Sequence, residues 1–312
     1  MIAQHLEVWQ VKVALTNDNA TNNILGQFQK TINHCNQGSI KTQARYIDAF
    51  RSFLIATVAK YRIRDIKNIQ QKHVDSFVSN KLEQGISAKT IKTDLSGIRF
   101  WHDQISAAKY QLDRGLAGNQ KYHLDKTPQG GVARAWTQSQ YEAMKDTAHK
   151  LDRENVSAAF VLVRYDGLRV HEITRIDYAT AKKAVDTGTL HIIGKGGKER
   201  DIPLSEQGKS VLIEAMGKAK PGQKLFISKG QKTHQAIKAV QDFIRRHRGQ
   251  IEGGLGTRKK ITIHGLRHLF AQGLYHKLRK EGYSDKEARL LVSQRLGHER
   301  DEVTEIYLFK ED

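Results

Sequence analysis

Residues 263–268, Ile-His-Gly-Leu-Arg-His, carry the pattern from which the interpretation of this chain starts. His264 and Arg267 are three residues apart, so on a helix they share one face and can address one anion. Taken alone, the pattern is better explained as a helix start with a basic edge. His264 and His268 have the i, i+4 spacing of a helical metal pair, but no carboxylate stands nearby to complete a site, so we expect no metal.

Two further groups follow toward the C-terminus. Gly297 is typical of a residue that ends a helix, which would hold His298 at the helix end, facing a cleft. Tyr307 comes nine positions after that histidine, in a short amphipathic segment. A lone histidine or tyrosine in such places usually serves packing. A tyrosine hydroxyl has a pKa of about 10, so it needs cationic surroundings to attack a phosphate at neutral pH.

Arg169 stands upstream in the run Tyr-Asp-Gly-Leu-Arg-Val-His-Glu, residues 165–172. Gly167 is expected to break the preceding helix, so that Arg169 projects from a helix start into a cleft. Its planar guanidinium can hold a phosphate through two parallel hydrogen bonds. Glu172, three residues on, can buttress the guanidinium. By itself this motif also fits a surface arginine after a turn.

The run Gly-Lys-Gly-Gly-Lys at 194–198 predicts a hairpin turn between strands 189–193 and 200–204. A lysine on a hairpin, here Lys195, can swing onto a leaving oxygen and donate a proton. The alternative is a solvated tip whose lysines blunt the edge of the sheet. The run is not a nucleotide-binding phosphate loop, because Glu199 follows Lys198 and a strand follows instead of a helix.

Composition favours a nucleic-acid partner. The chain has 312 residues and a net charge of +19, from 52 Lys and Arg against 33 Asp and Glu. So large an excess repels itself unless a polyanion offsets it. No apolar run approaches the ~20 residues of a membrane span, and the first eight residues do not resemble a signal peptide. The single cysteine, Cys35, excludes an internal disulfide and a cysteine-cluster zinc site.

The length is enough for two cores, and the periodicity predicts a mostly α-helical protein. Residues 1–37 form an N-terminal extension with one possible helix, and 38–111 form a small helical domain. Breakers at 112–135 predict a linker, and 136–312 form a second, helix-rich domain with a small β-sheet. The expected apolar stripes are Ile24, Leu25, Phe28 and Ile32; Ile47, Phe50, Phe53, Leu54 and Val58; Val74, Phe77, Val78 and Leu82; and Ile91, Leu95, Ile98, Trp101 and Ile105.

The periodicity also places individual helices and caps. Gly85 separates the last two stripes, and Ser87 is expected to cap the later helix. Residues 137–140, Thr-Gln-Ser-Gln, resemble a capping box that opens the second domain. Helices are expected over 138–150 and 154–178, and from about 205, 233, 264 and 284, with a glycine-rich break at 253–256.

Each motif is weak alone, but in this order the set resembles the tyrosine recombinase/integrase family, the phage integrase type of site-specific DNA recombinase. The motif match covers roughly 137–312, and the helical region 24–110 resembles, less specifically, the SAM-like core-binding domain of the family. The implied fold is that of the DNA breaking-rejoining enzymes. The matching residues are Arg169 with Glu172, Lys195, His264, Arg267, His298 and Tyr307.

The resemblance implies a reaction on duplex DNA held between the two domains. Tyr307 would attack the scissile phosphate, forming a 3′-phosphotyrosyl link and releasing a 5′-hydroxyl. Lys195 would protonate the leaving 5′-oxygen, and His264 would assist proton transfer or position the tyrosine. The bond energy is kept in the protein link, so no cofactor, metal or ATP is expected.

The transition state would carry negative charge on its non-bridging oxygens, which Arg169, Arg267 and His298 would neutralise. Four protomers would exchange strands on two sites through a Holliday junction, and the free protein would be a monomer or weak dimer. DNA-bending or directionality factors are possible partners, and a cytoplasmic, nucleoid-associated location is expected. Only five residues follow Tyr307, so either this tail docks as a short peptide or the tyrosine segment itself is exchanged.

Two alternatives remain at the level of sequence. One is a nicking-closing enzyme like a type IB topoisomerase, which shares the chemistry. The other is a DNA-binding protein that keeps the fold without the reaction. The presence of all six catalytic-type residues argues against the second alternative.

Overall fold

The computed structural model describes residues 13–35, 40–114, 119–124, 134–194, 197–251, 261–297 and 307–308. The chain divides into two compact units, residues 1–127 and 128–312. The described part is mostly helical, with one two-stranded sheet, which confirms the predicted fold class. No helix in this part is both long enough and apolar enough to cross a bilayer.

Among its described residues, the first unit contains four α-helices and a 3₁₀ turn. The predicted stripes meet in one core, where Phe28 packs edge-on against Phe50 and Trp101. One predicted core residue is wrong: Leu82 is 43% exposed, because the last turn of its helix extends past the core. The elements are α1 Asn19–Asn33, α2 Ile40–Tyr61, the 3₁₀ turn Ile66–Asn68, α3 Gln71–Glu83 and α4 Ala88–Asp103.

Local capping explains where these helices begin. Asp18 accepts a hydrogen bond from the backbone N–H of Thr21 at 2.8 Å, which starts the helix that the first stripe predicted. Ser87 caps α4 by accepting from the N–H of Thr90 at 3.3 Å, as predicted. Gly85 adopts a φ of +68°, in keeping with its place between α3 and α4.

Part of the segment expected to be a linker packs on the first unit. Leu112 and Leu124 are buried in its core. The Tyr122 hydroxyl donates to Asp75 in α3 at 2.6 Å, which ties the segment to that helix. The segment is thus held by both apolar and polar contacts.

The second unit contains eight helices among its described residues, together with the sheet. Thr137 and Gln140 form the predicted capping box at its first helix. The elements are α5 Gln138–Lys150, α6 Glu154–Asp166, α7 Val170–Ile173, α8 Tyr178–Thr187, β1 Thr189–Ile193, β2 Glu199–Pro203, α9 Glu206–Lys218, α10 Thr233–His247, a 3₁₀ turn Arg248–Gln250, α11 Ile263–Lys280 and α12 Asp285–Leu296.

The helix expected over 154–178 is broken, which corrects the prediction. Gly167 takes a left-handed φ of +67° and ends α6, and its N–H bonds the carbonyl of Leu162. The single turn α7 follows, and α8 then starts where Asp177 accepts from the N–H of Thr180 at 2.8 Å. The break places Arg169 at a helix start, as expected from Gly167.

Strands β1 and β2 form the predicted antiparallel hairpin, with Thr189 opposite Pro203 and Ile193 opposite Glu199. β2 begins and ends one residue earlier than expected. The turn residue Lys195 lies outside the described residues, as does the predicted glycine-rich break at 253–256.

Helix α11 packs between α6 and α12 and carries the opening motif. The Trp136 ring N–H donates to the carbonyl of Thr262 at 2.7 Å, which anchors the start of α11. A side chain at Gly265 would strike the carbonyl of Arg134 and the Trp136 ring, so only glycine fits there. Gly297 ends α12 with a φ of +65°, as predicted.

We expect Gly167→Ala to destabilise the second unit by about 2–4 kcal/mol, because alanine resists a left-handed φ and its Cβ would lie 2.5 Å from the Phe270 ring. Gly188→Ala is the matched control: its φ is +69°, but nothing lies within 4 Å of the new Cβ. That variant should lose only ~1 kcal/mol. Urea denaturation measures both, and equal losses would contradict the role given to Phe270.

Candidate active site

Tyr307 lies against one face of α11 and is buried. Its hydroxyl is 3.2 Å from Nε2 of His264. Its ring stacks on His268, with centroids 4.4 Å apart and planes inclined by 21°. The side-chain amide of Gln272 donates to its main-chain carbonyl at 3.4 Å. Tyr307 therefore contacts His264, which lies 43 residues earlier in the chain.

Arg267 is a buried cation, 1% exposed, next to this tyrosine. Its Nη1 donates to the carbonyl of Gly167 at 2.7 Å, and its Nη2 donates to the carbonyl of Leu296. The guanidinium carbon lies 5.8 Å from the centroid of the Tyr307 ring. Burial, followed by the nearby charge of Arg169, lowers the pKa of Arg267 to about 10, so it stays charged at neutral pH.

Arg169 precedes α7 and is held by Glu172, as predicted. Oε2 of Glu172 accepts from the Arg169 backbone N–H at 2.8 Å, and Oε1 accepts from its guanidinium at 3.1 Å. The Arg169 side chain is 25% exposed, so it can still reach an incoming anion. The charge of Arg169 contributes to lowering the pKa of both Arg267 and His264, which places the arginine in the same site.

Glu172 has a second cation, Arg200, which the sequence did not reveal as part of the site. The guanidinium of Arg200 donates to both carboxylate oxygens, at 2.8 and 2.9 Å. Burial raises the pKa of Glu172, but the hydrogen bonds and charge of Arg200, helped by Arg169, outweigh it and bring the pKa to about 2. Glu172 is therefore ionised and shared by two arginines.

The base of the hairpin is attached to the same segment. Arg175 donates to the carbonyls of Ile193 and Gly194 at 2.8 and 3.3 Å. Arg200, the second residue of the opposite strand, packs against Gly297, where a Cβ would lie 3.1 Å from its guanidinium. The two strand ends that flank the loop with Lys195 are thus held beside Glu172. Lys195 and His298 themselves lie outside the described residues.

His264 and His268, two of the three histidines of α11, are neutral at neutral pH. Desolvation first, then the charges of Arg267 and Arg134, lower the pKa of His264 to about 4, although part of its surface remains open to solvent. His268 is 1% exposed, and burial first, then His264, lowers its pKa to about 3. A neutral His264 whose Nε2 carries no proton can accept one from the Tyr307 hydroxyl.

The described site therefore combines a phenol, a neutral imidazole and two cations, with His264 and Arg169 open to solvent. Positive charge near the phenol favours its ionised form, and fixed cations stabilise an oxyanion. Such a set can support attack of the phenol on a phosphate. Among the described residues, no three histidines, cysteines or carboxylates are grouped to hold a metal ion.

Four residues of this neighbourhood were not predicted from the sequence to belong to the site: His268, Gln272, Arg175 and Arg200. His268 was considered only as a possible metal ligand with His264. His268 had a usable signal, because it lies four residues after His264 and thus on the same helix face. Arg200 and Arg175 had none, since their partners lie 28 and 18 residues away along the chain.

Two family models match this chain. The model described as "Phage integrase family" matches residues 134–312, and the model described as "Phage integrase, N-terminal" matches 23–109. Tyrosine recombinase XerC of Xylella fastidiosa is 24% identical over 280 residues, covering 84% of each chain. The first model alone spans more than half of the sequence.

Solved structures share the fold. XerH recombinase bound to difH substrate in a pre-cleavage complex has a TM-score of 0.58 at 21% identity, covering 96% of this chain and 88% of that chain. A lambda integrase dimer bound to a COC′ core site has a TM-score of 0.61 at 17% identity, covering 91% and 94%.

We expect the second unit to lose stability as the pH falls from 6.5 toward 4. The pKa of His268 is lowered to about 3 and that of His264 to about 4, so in this range the unfolded chain binds protons that the folded chain does not. The free energy of unfolding therefore decreases as the pH falls. Replacing His268 by Gln should flatten this slope in urea denaturation, and His264→Gln should do so less, because that residue is partly solvated.

Asp166 acts in the opposite direction, since burial raises its pKa to about 6 and the folded chain gains its proton more readily. It is unchanged in these variants, so the comparison with wild type removes its contribution. His276→Gln, on the exposed side of α11, should leave the slope unchanged. An unaltered slope in His268→Gln would contradict a neutral, buried imidazole.

Proposed function

The chain belongs to the phage integrase family and is a tyrosine site-specific recombinase that breaks and rejoins DNA, and from this premise we propose that Tyr307 is its nucleophile. The observation that carries the proposal is the contact of the Tyr307 hydroxyl with His264, 3.2 Å away, beside the buried cation of Arg267. The substrate is duplex DNA, and the product of the first step is a 3′-phosphotyrosyl link.

In the first step the phenolic oxygen of Tyr307 forms a bond to the scissile phosphorus, and the bond from phosphorus to the 5′-oxygen breaks. The phenolic proton passes to His264, which is neutral and within hydrogen-bond distance. Lys195 gives a proton to the departing 5′-oxygen, a role that rests on its place in the hairpin motif. Attack by a partner strand's 5′-hydroxyl reverses these transfers and restores Tyr307.

The two arginines take the charge of the phosphate. Arg267 donates to two main-chain carbonyls, which hold its positive charge in place beside Tyr307. Arg169 shares Glu172 with Arg200, so one negative charge faces two positive ones. The remaining positive charge stabilises the non-bridging oxygens in the transition state, where the negative charge is greatest. His298 is assigned to the same task from the sequence motif.

We also propose that four protomers act on two DNA sites. Lambda integrase, a structural relative, is described as a dimer on a core site and as a tetramer on a Holliday junction. The free protein would be a monomer or weak dimer in the cytoplasm and would join the nucleoid on binding DNA. DNA-bending or directionality factors remain candidate partners.

We expect Tyr307→Phe to abolish covalent attachment to DNA while leaving DNA binding intact, because the change removes only the nucleophilic oxygen. The measurement is a trapping assay on nicked duplexes from the regions flanking the gene, so that the cleaved fragment diffuses away. A denaturation-resistant adduct should form with wild type and with Tyr283→Phe, a control that alters an exposed tyrosine. An adduct with Tyr307→Phe would refute the assignment.

The same preparations separate a recombinase from a nicking-closing enzyme. Supercoiled plasmid that lacks the trapped site should stay supercoiled, and plasmid that carries two sites should recombine. Relaxation of both plasmids at equal rates would favour the topoisomerase-like activity.

DNA binding should weaken steeply with salt, because a chain of net charge +19 displaces counterions from many phosphates. With 6–10 phosphate contacts, affinity falls by roughly 10³–10⁵-fold between about 50 and 200 mM salt. Fluorescence anisotropy of a labelled site measures this dependence. Tyr307→Phe should give the same slope as wild type, and an affinity that ignores salt would contradict phosphate-dominated binding.

A further inference from the structure

Helix α11 presents His264, His268 and Gln272 at four-residue intervals, so all three side chains lie on one face. Each contacts a different part of Tyr307. His264 meets the hydroxyl at 3.2 Å, His268 stacks on the ring at 4.4 Å, and Gln272 donates to the main-chain carbonyl at 3.4 Å. Only the first of these contacts has a role in the chemistry proposed above.

We propose that His268 and Gln272 are positioning residues that seat Tyr307 against α11 and thereby aim its hydroxyl at the phosphate held by Arg267. The proposal rests on the assignment of Tyr307 as nucleophile. Neither residue touches the reacting atoms in this arrangement; both act through the tyrosine.

The ring and the backbone of Tyr307 are each fixed by a separate contact. Stacking with planes inclined by 21° fixes the plane of the phenol. A hydrogen bond also joins His268 to the main chain of Tyr307, and this bond raises the pKa of His268, against the larger lowering by burial. A bond that favours the protonated imidazole is one in which the ring nitrogen donates. The acceptor is then the carbonyl that also accepts from Gln272. With ring plane and carbonyl both fixed, the phenol retains little freedom to swing away from Arg267.

Packing alone does not account for a histidine here. Burial of the His268 side chain, which is 1% exposed, and then the positive charges of Arg134 and Arg267 nearby disfavour its protonation. Burying a polar imidazole costs free energy unless its nitrogens are hydrogen-bonded, and a phenylalanine would fill the same space without that cost. The hydrogen bond to the main chain of Tyr307 is what histidine adds and phenylalanine lacks.

The test begins with single-turnover cleavage of the nicked trapping duplex. His268→Phe keeps a flat ring and loses the donor, and it should slow adduct formation by about 10–100-fold, as expected for a misplaced nucleophile. Gln272→Met keeps length and loses the amide, and it should slow the step by ~2–10-fold. DNA affinity should stay within ~2-fold of wild type, because a mispositioned nucleophile changes the rate and not the binding.

His276→Phe is the matched control, with the same substitution two turns further along α11, on an exposed side chain. It should cleave like wild type. In the double variant His268→Phe with Gln272→Met, the two losses should not multiply, since both donors serve one carbonyl. If His268→Phe fails to fold, Gln272→Met still tests whether fixing the main chain of Tyr307 on α11 affects the cleavage rate.

A spectroscopic measurement detects the contacts of Tyr307 with His268 and Gln272 without requiring the cleavage reaction. With 3-fluorotyrosine at position 307, the ¹⁹F resonance of wild type should be displaced from that of the free amino acid by the stacked imidazole. His268→Gln, which removes the stacked ring, should move the signal toward the free value, and Gln272→Met should broaden or shift it. His276→Phe should leave it in place.

The outcomes distinguish a failure of the positioning role from a failure of the assignment of Tyr307 as nucleophile. Normal cleavage rates with a displaced ¹⁹F signal would overturn the positioning role, and so would slower cleavage accompanied by an equal loss of DNA affinity. An unshifted wild-type signal would show that the seat does not form. An adduct that survives Tyr307→Phe would instead refute the nucleophile, and the ¹⁹F result would then report a structural contact only.

Discussion

The architecture of the site depends on one buried guanidinium. Arg267 donates to the carbonyls of Gly167 and Leu296, which lie at the C-terminal ends of α6 and α12. Helix C-termini carry partial negative charge and unpaired carbonyls, so two of them help to stabilise a buried cation. Both ends are shaped by glycines in the left-handed region, Gly167 and Gly297. The same contacts hold three helices together and place the charge beside Tyr307.

The second arginine is organised differently. Glu172 is buried and ionised, and it holds Arg169 on one side and Arg200 on the other. Removing either cation would leave a buried charge with too few partners, which is costly. Arg200 lies in strand β2 of the hairpin and contacts Gly297, so it links Glu172 to both. A single carboxylate thus fixes Arg169, the root of the loop that contains Lys195, and the residue before His298.

The sequence predicted what depends on neighbours along the chain. The Ser87 cap, the hairpin around 194–198 and the pairing of Arg169 with Glu172 all act within a few residues. The broken helix after Asp166 was predicted only in part, because the sequence signalled Gly167 but not the cap at Asp177. The contact of Arg200 with Glu172 and the seat of Tyr307 on α11 bring together residues 28 and 35–43 positions apart. No periodicity carries such information, since it arises from the packing of whole elements.

Among the residues that the structure describes, the site contains more arginines than carboxylates: Arg169, Arg200 and Arg267 all lie near Glu172. Burial and then the charge of Arg169 lower the pKa of Arg267, and the charges of both arginines help to keep His264 neutral. In the proposed reaction such an arrangement, unfavourable for the protein alone, becomes favourable when a phosphate enters from the side where Arg169 and His264 meet solvent. The neutral imidazoles follow from the same field: it suppresses their protonation and so leaves His264 able to accept a proton. In the proposed mechanism, the same positive field therefore serves both the anion site and the base.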